Sequence, residues 1–167
     1  MKLELFPFQK TALARLRQSA ATALGNYQST HTPQVVSYTA PTGAGKTIVM
    51  SALIEAIYYG DELYPDQSDA IFIWLSDSPQ LNEQSRLKIE LKADKIPIGR
   101  CRVISDDSFD MEELEDGHIY FLNTQKLSKS SNLTKHSDGR QYTIWETLAN
   151  TVRDKYKNIL SIFLILL

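Results

Sequence analysis

The stretch from Val35 to Met50, VVSYTAPTGAGKTIVM, constrains this chain more than any other. Val35, Val36 and Tyr38 favour a buried extended strand, Pro41 and Gly43 interrupt it, and the apolar run from Thr47 begins a helix. Strand, glycine-bearing loop and helix, in that order, are what a phosphate-binding loop requires.

The backbone supplies the chemical reason. Gly43 and Gly45 can adopt positive φ and carry no Cβ, so successive N–H groups can turn inward around an anion at the positive end of a helix. Pro41, Thr42, Gly43, Ala44, Gly45, Lys46 and Thr47 would form the cup, with the Lys46 ammonium between the outer two phosphates as the candidate catalytic group and the Thr47 hydroxyl on Mg²⁺. The general pattern is G-x-x-x-x-G-K-[ST], and here Ala40 stands at its first position.

With 43% hydrophobic and 23% charged residues, the 167 residues have the balance of one compact domain able to bury roughly two thirds of its unfolded surface. A formal net charge of −2 gives no overall attraction to nucleic acid, so such binding would have to come from local groups. Cys101 stands alone, which excludes an internal disulfide and fits a reducing cytoplasm. The histidines, His31, His118 and His136, lack metal-ligand spacing. The apolar run Ile159 to Leu167 is too short for a membrane helix, which needs about 20 residues, and reads as a buried parallel strand.

Along the chain, Phe6 to Leu24 has helical spacing, with Phe8, Ala12, Leu16, Ala20 and Ala23 on one face, Lys10, Arg15 and Arg17 on others, and Gly25-Asn26 as its stop. Helices are expected over Thr47 to Tyr59, from Pro79 with Ser78 as N-cap, and over Tyr142 to Tyr156 with Ile144, Trp145, Leu148, Ala149 and Val152 inward. Further strands are expected at Ala70 to Leu75, Arg100 to Ser105 and His118 to Leu122, with a short helix around Met111 to Leu114. Ser128 to Arg140 reads as a mobile polar loop, its cations explained equally by a nucleic-acid backbone or by solvent.

The string A-P-T-G-A-G-K-T resembles the phosphate loop of superfamily-two helicases and translocases, which often place a small non-glycine residue where Ala40 stands. Ahead of it, L-F-P-F-Q-K-T-A-L resembles their glutamine element, which implies that Gln9, beside Phe8, pairs with adenine. A Gln amide can donate to and accept from that base together. W-L-S-D-S-P-Q-L-N-E-Q and the segment Asn123-Thr124-Gln125-Lys126-Leu127 resemble two blocks that touch a nucleic-acid backbone, which implies phosphate contacts from Ser78, Asn123, Thr124, Gln125 and Lys126. Asp77 would oppose phosphate at the first of these.

Alternating strands and helices predict a three-layer α/β domain with a mostly parallel sheet. The resemblance is to the first RecA-like lobe of DEAD/DEAH-type enzymes, most of all the helicase subunits of type III restriction enzymes. It implies ATP and Mg²⁺ as cofactors, DNA as the nucleic acid, and a nuclease or methylation subunit as a possible partner. In that family a strand like Ile159 to Leu167 leads into an Asp-Glu-Ala-His motif, and a second lobe supplies an arginine finger; neither follows here. Residues 1–167 are therefore expected to be a partial first lobe that binds ATP and hydrolyses it weakly or not at all. A non-catalytic nucleotide- or partner-binding module and a small-molecule P-loop kinase remain the alternatives.

Overall fold

The computed structural model describes residues 1–156 and 162–166. The chain divides into two compact units, Met1–Ser68 with Lys88–Ile96, and Asp69–Leu87 with Pro97–Leu167.

In the first unit, α1 (Pro7–Thr30) packs on α2 (Lys46–Tyr59). Leu16 and Ala20 of α1, and Val49, Ala52, Leu53, Ile54, Ile57 and Tyr58 of α2, are buried, as are Ile89, Ala93 and Ile96. α1 runs through Gly25, the expected stop, and ends where His31 turns left-handed at φ 55° and donates its N–H to the Tyr27 carbonyl. One interior glycine costs a helix only about 1 kcal/mol. The buried face also differs from the expected one: Phe8 is exposed, whereas Arg17 is buried. The Arg17 guanidinium lies over the Tyr64 ring and donates to the Pro65 carbonyl at 3.1 Å, contacts that hydropathy alone does not register.

The strand expected before the glycine loop does not form. Residues 31–40 have no regular structure, and Val35 is 90% exposed. Strand propensity expresses fit to a pleated, half-buried surface, and this segment joins no sheet among the described residues.

The second unit is built on a four-stranded sheet of order β2-β3-β1-β4, with β1 Ile71–Ser76, β2 Cys101–Val103, β3 Ile119–Asn123 and β4 Ile162–Leu166. All pairings are parallel. The α/β reading with a parallel sheet therefore holds. Ile71, Ile73, Leu75, Tyr120 and Leu122 enter a core with Ile104, Leu114, Leu133 and Ile144, and the alternate set Phe72, Trp74, Ile119 and Phe121 is buried as well. Strands covered on both faces read as continuous apolar runs, which is why β1 and β3 appear where expected. β2 is shorter than expected: Arg100 belongs to the 3₁₀ turn Ile98–Arg100 before it, and the strand ends at Val103. β4 lies within the expected terminal strand; Ile159, Leu160, Ser161 and Leu167 fall outside the described residues.

β1 leads into α3 (Pro79–Lys92), where the Ser78 hydroxyl accepts the Leu81 N–H at 3.4 Å, consistent with the expected cap. α4 (Ile144–Tyr156) begins with a capping box, in which Thr143 N–H and Oγ1 both donate to the Glu146 carboxylate at 2.8 Å. Its buried face is Ile144, Thr147 and Thr151; Trp145 is 50% and Val152 47% exposed, against expectation. The expected helix at Met111 to Leu114 is absent for the same reason that the face is turned. Thr147 Oγ1 donates to the Met111 carbonyl, Asn150 Nδ2 to the Glu112 carbonyl at 3.0 Å, and Thr151 Oγ1 accepts the Leu114 N–H at 2.8 Å. Side chains of α4 thus satisfy backbone groups that a helix would have satisfied internally.

Candidate functional site

Two clusters of the expected site residues emerge, one in each unit. In the first unit, Gly43 has φ 84° and Gly45 φ 79°, and Gly45 is the N-cap of α2. No side chain caps this helix. The N–H groups of Lys46 and Thr47 open its first turn, where an α-helix provides no partner of its own. The loop is closed on its other side by the Ala44 N–H on the Pro41 carbonyl at 3.1 Å. Lys46 Nζ folds back onto the Ala40 carbonyl at 3.1 Å, so its ammonium is held within the loop. Pro41, Thr42 and Gly43 are exposed, and Ala44 to Thr47 half-buried, leaving the cup open to a ligand.

Gln9 is 6% exposed and is part of this loop. Its Oε1 accepts the Phe6 N–H at 3.1 Å and its Nε2 donates to the Ala44 carbonyl at 3.0 Å. A Cβ added at Gly45 would lie 2.6 Å from Gln9 Nε2, whereas one at Gly43 would meet nothing within 4 Å. Gly45 therefore answers both to backbone conformation and to close approach, Gly43 to conformation alone. Phe8 is exposed and its ring stacks on Phe6 at 5.9 Å between centroids.

Behind the loop helix, Glu55 is buried and accepts three bonds. The Met1 ammonium donates at 2.6 Å, and the N–H groups of Asp94 and Lys95 at 2.7 and 2.6 Å. Burial alone would raise its pKa, but the ammonium and the two N–H groups outweigh burial and hold it below the usual carboxylate value.

In the second unit, the register pairs Ser76 with Asn123, so the exits of β1 and β3 lie side by side at the carboxyl edge of the sheet. That brings Ser78 into the same region as the 3₁₀ turn Thr124–Leu127, which holds Thr124, Gln125 and Lys126. Parallel sheets commonly bind ligands at this edge. Asn123 is buried and caps the turn, accepting the Gln125 N–H at 2.7 Å. Gln125 is exposed, and Lys126 Nζ lies 3.0 Å from Asp106 Oδ1.

Two residues here escape sequence reasoning. Asn82, one turn into α3, is buried and bonded to Ser76 Oγ. Arg140 is buried with its guanidinium on the carbonyls of Phe109, Asn132 and Asp106. It ties the segment 128–140, expected to be mobile, to its neighbours, and Leu133 in that segment is fully buried. Only Asp138-Gly139 beside Arg140 hinted at a tight turn, and nothing in the string indicated that the arginine would turn inward.

Among the described residues no cluster of His, Cys, Asp or Glu is placed to hold a metal ion, and no helix is long and apolar enough to cross a membrane. The model of one protein family, the type III restriction enzyme res subunit, matches residues 2–163. No curated protein and no solved structure matches the chain.

Proposed function

Since the chain belongs to the res subunit family of type III restriction enzymes, we propose that its helicase-type motor domain binds ATP at the Gly43–Thr47 loop. The observation that carries this reading is the left-handed Gly45 at the head of α2, followed directly by a lysine held inside the loop on the Ala40 carbonyl. The residues fit a triphosphate: glycines free of Cβ, N–H groups at a helix start and a captive ammonium converge on one cup. On binding, Lys46 exchanges the Ala40 carbonyl for phosphate oxygens, and the loop N–H groups hold the phosphates in place. The Thr47 hydroxyl would hold Mg²⁺, which would offset phosphate charge. The exposed Phe8 and the neighbouring Gln9 are assigned to adenine, for which Gln9 would use the hydrogen and lone pair left beside its bonds to Ala44 and Phe6.

Ser78, Asn123, Thr124, Gln125 and Lys126 are assigned to a DNA strand, chiefly through phosphate. A nuclease or methylation subunit would complete the assembly in the cytoplasm.

Titration with a fluorescent ATP analogue and Mg²⁺ tests the reading. Saturable binding that falls at least about tenfold in Lys46→Ala is expected, the loss of one charge-assisted contact. Unchanged binding in that variant, or none in the folded parent protein, would overturn the assignment.

A further inference from the structure

Between β3 and the first turns of α3 lies a cavity of about 60 Å³ with apolar walls from Val103, Ile104 and Phe121. Four polar side chains also line it, and two of these carry charges that are already matched. Lys126 faces Asp106 at 3.0 Å, and Glu83 receives both Nε and Nη2 of Arg86 at 3.0 and 2.6 Å. The other two are Asn82 and Asn123, 6% and 5% exposed, and each has hydrogen-bonding capacity to spare.

Proton accounting sets what each amide offers. Asn123 takes a backbone N–H from Gln125, so the bonded atom is its oxygen, and its NH₂ has no partner among the described residues. Ser76 Oγ stands 2.8 Å from the Ser78 carbonyl and 2.9 Å from the Asn82 amide. A hydroxyl has one proton, and a carbonyl can only accept it. With that proton on the Ser78 carbonyl, we assign the Asn82 amide with its NH₂ toward Ser76 Oγ in place of Oδ1, which leaves its carbonyl oxygen as the unengaged group. The cavity thus offers one acceptor, from Asn82, and one donor, from Asn123.

Phosphate is a poor match for that pair, since it has only acceptors to set against the Asn82 oxygen. A flat group with a donor and an acceptor side by side matches it. Resting on the reading of this edge as a nucleic-acid surface, we propose that the cavity takes the hydrogen-bonding edge of one unpaired nucleobase from a single strand. Asn82 accepts from the base and Asn123 donates to it, against the apolar walls. The cavity has room for a base edge and not for a whole base, so the ring remains at the mouth. This gives the strand a base contact besides the phosphate contacts assigned to Thr124, Gln125 and Lys126.

Fluorescence anisotropy of the full chain with a labelled oligothymidylate and an abasic strand of equal length reads this directly. The thymidylate is expected to bind about tenfold more tightly, the size of one paired amide–base contact. Asn123→Asp keeps the oxygen that caps the 3₁₀ turn and removes the free donor. Its new charge weakens both strands alike, so the ratio between them reports the base contact, and that ratio should fall to near one. Equal affinity of the parent protein for both strands, or a ratio unchanged in Asn123→Asp and in Asn82→Leu, would overturn the inference and leave the nucleic-acid reading standing. Binding of neither strand would overturn both.

Discussion

Gln9 donates its side-chain amide to the Ala44 carbonyl at 3.0 Å, so the first turn of α1 and the glycine loop form one hydrogen-bonded piece. The same carboxamide accepts the Phe6 N–H at 3.1 Å, and the side chain is buried. A solvated glutamine on a helix surface would do neither. The loop is thereby held in shape by a residue far from it in sequence, and the orientation of that residue depends on where Phe6 begins the helix.

Removing this amide should loosen the loop. Gln9→Ala is expected to weaken ATP binding by about tenfold, the order of one net hydrogen bond to a partly buried group. Gln9→Glu retains an acceptor for the Phe6 N–H and loses the donor to Ala44, so it separates the two contacts. An affinity in Gln9→Glu equal to that of the parent protein would show that the Ala44 contact is dispensable.

The two loop glycines should respond unequally to alanine. Each would bear left-handed strain of about 1–2 kcal/mol, but only at Gly45 does the new methyl run into Gln9 Nε2. Gly45→Ala should thus lower the melting temperature and ATP affinity more than Gly43→Ala. In a double-mutant cycle, Gly45→Ala with Gln9→Ala should cost less than the sum of the two, while Gly43→Ala with Gln9→Ala should add.

What could be read from the string divides along physical lines. A-I-F-I-W-L and H-I-Y-F-L become β1 and β3 because a strand covered on both faces needs apolar residues at every position. Val35, Val36 and Tyr38 are strand formers too, yet their segment stays out of the sheet among the described residues, since pairing is a property of neighbours and the local residues do not specify them. The glycine loop is readable because conformation and chemistry both point to the same few positions. α4 is readable as a helix but not in its face, because Thr147 and Thr151 turn inward to hydrogen-bond the segment 111–114. T-x-x-E at Thr143 to Glu146 does mark its start, one turn of reasoning that apolar spacing alone passes over. Asn82 and Arg140 could not be found this way, because their roles come from backbone carbonyls and a hydroxyl brought close by the fold.

Arg140 should be a strong point of the second unit. Its guanidinium bonds three carbonyls from separate segments, at Phe109, Asn132 and Asp106, and one of these, Asp106, carries the carboxylate that faces Lys126. Arg140→Met leaves those carbonyls without their donor and should cost about 3 kcal/mol or more. Lysine, a single donor centre, should recover little of that. Urea unfolding measures the loss, and limited proteolysis should show earlier cleavage between Ser128 and Arg140. A midpoint within error of the parent protein would show that the clamp has no energetic role.

Acid should unfold the first unit through Glu55. Its folded pKa lies below the usual value, so the ionised form binds its partners better than it binds water, and the unfolded chain takes up a proton first as pH falls. The stability it contributes is therefore fully present above the unfolded carboxylate value, near 4.3 on average, and is lost as pH drops through the lower folded value. Glu55→Gln removes the charge that receives the Met1 ammonium and the N–H groups of Asp94 and Lys95, and should cost about 2 kcal/mol at neutral pH. The same variant should flatten the decline below pH 5, because its amide does not titrate. Asp110 and Glu146 also have lowered pKa values, through backbone N–H bonds from Gln141 and Tyr142 and from Thr143, and they leave a residual slope of the same sign. Thermal melts from pH 3 to 7 of parent and variant check this: curves that stay parallel throughout would remove Glu55 from the account of acid sensitivity.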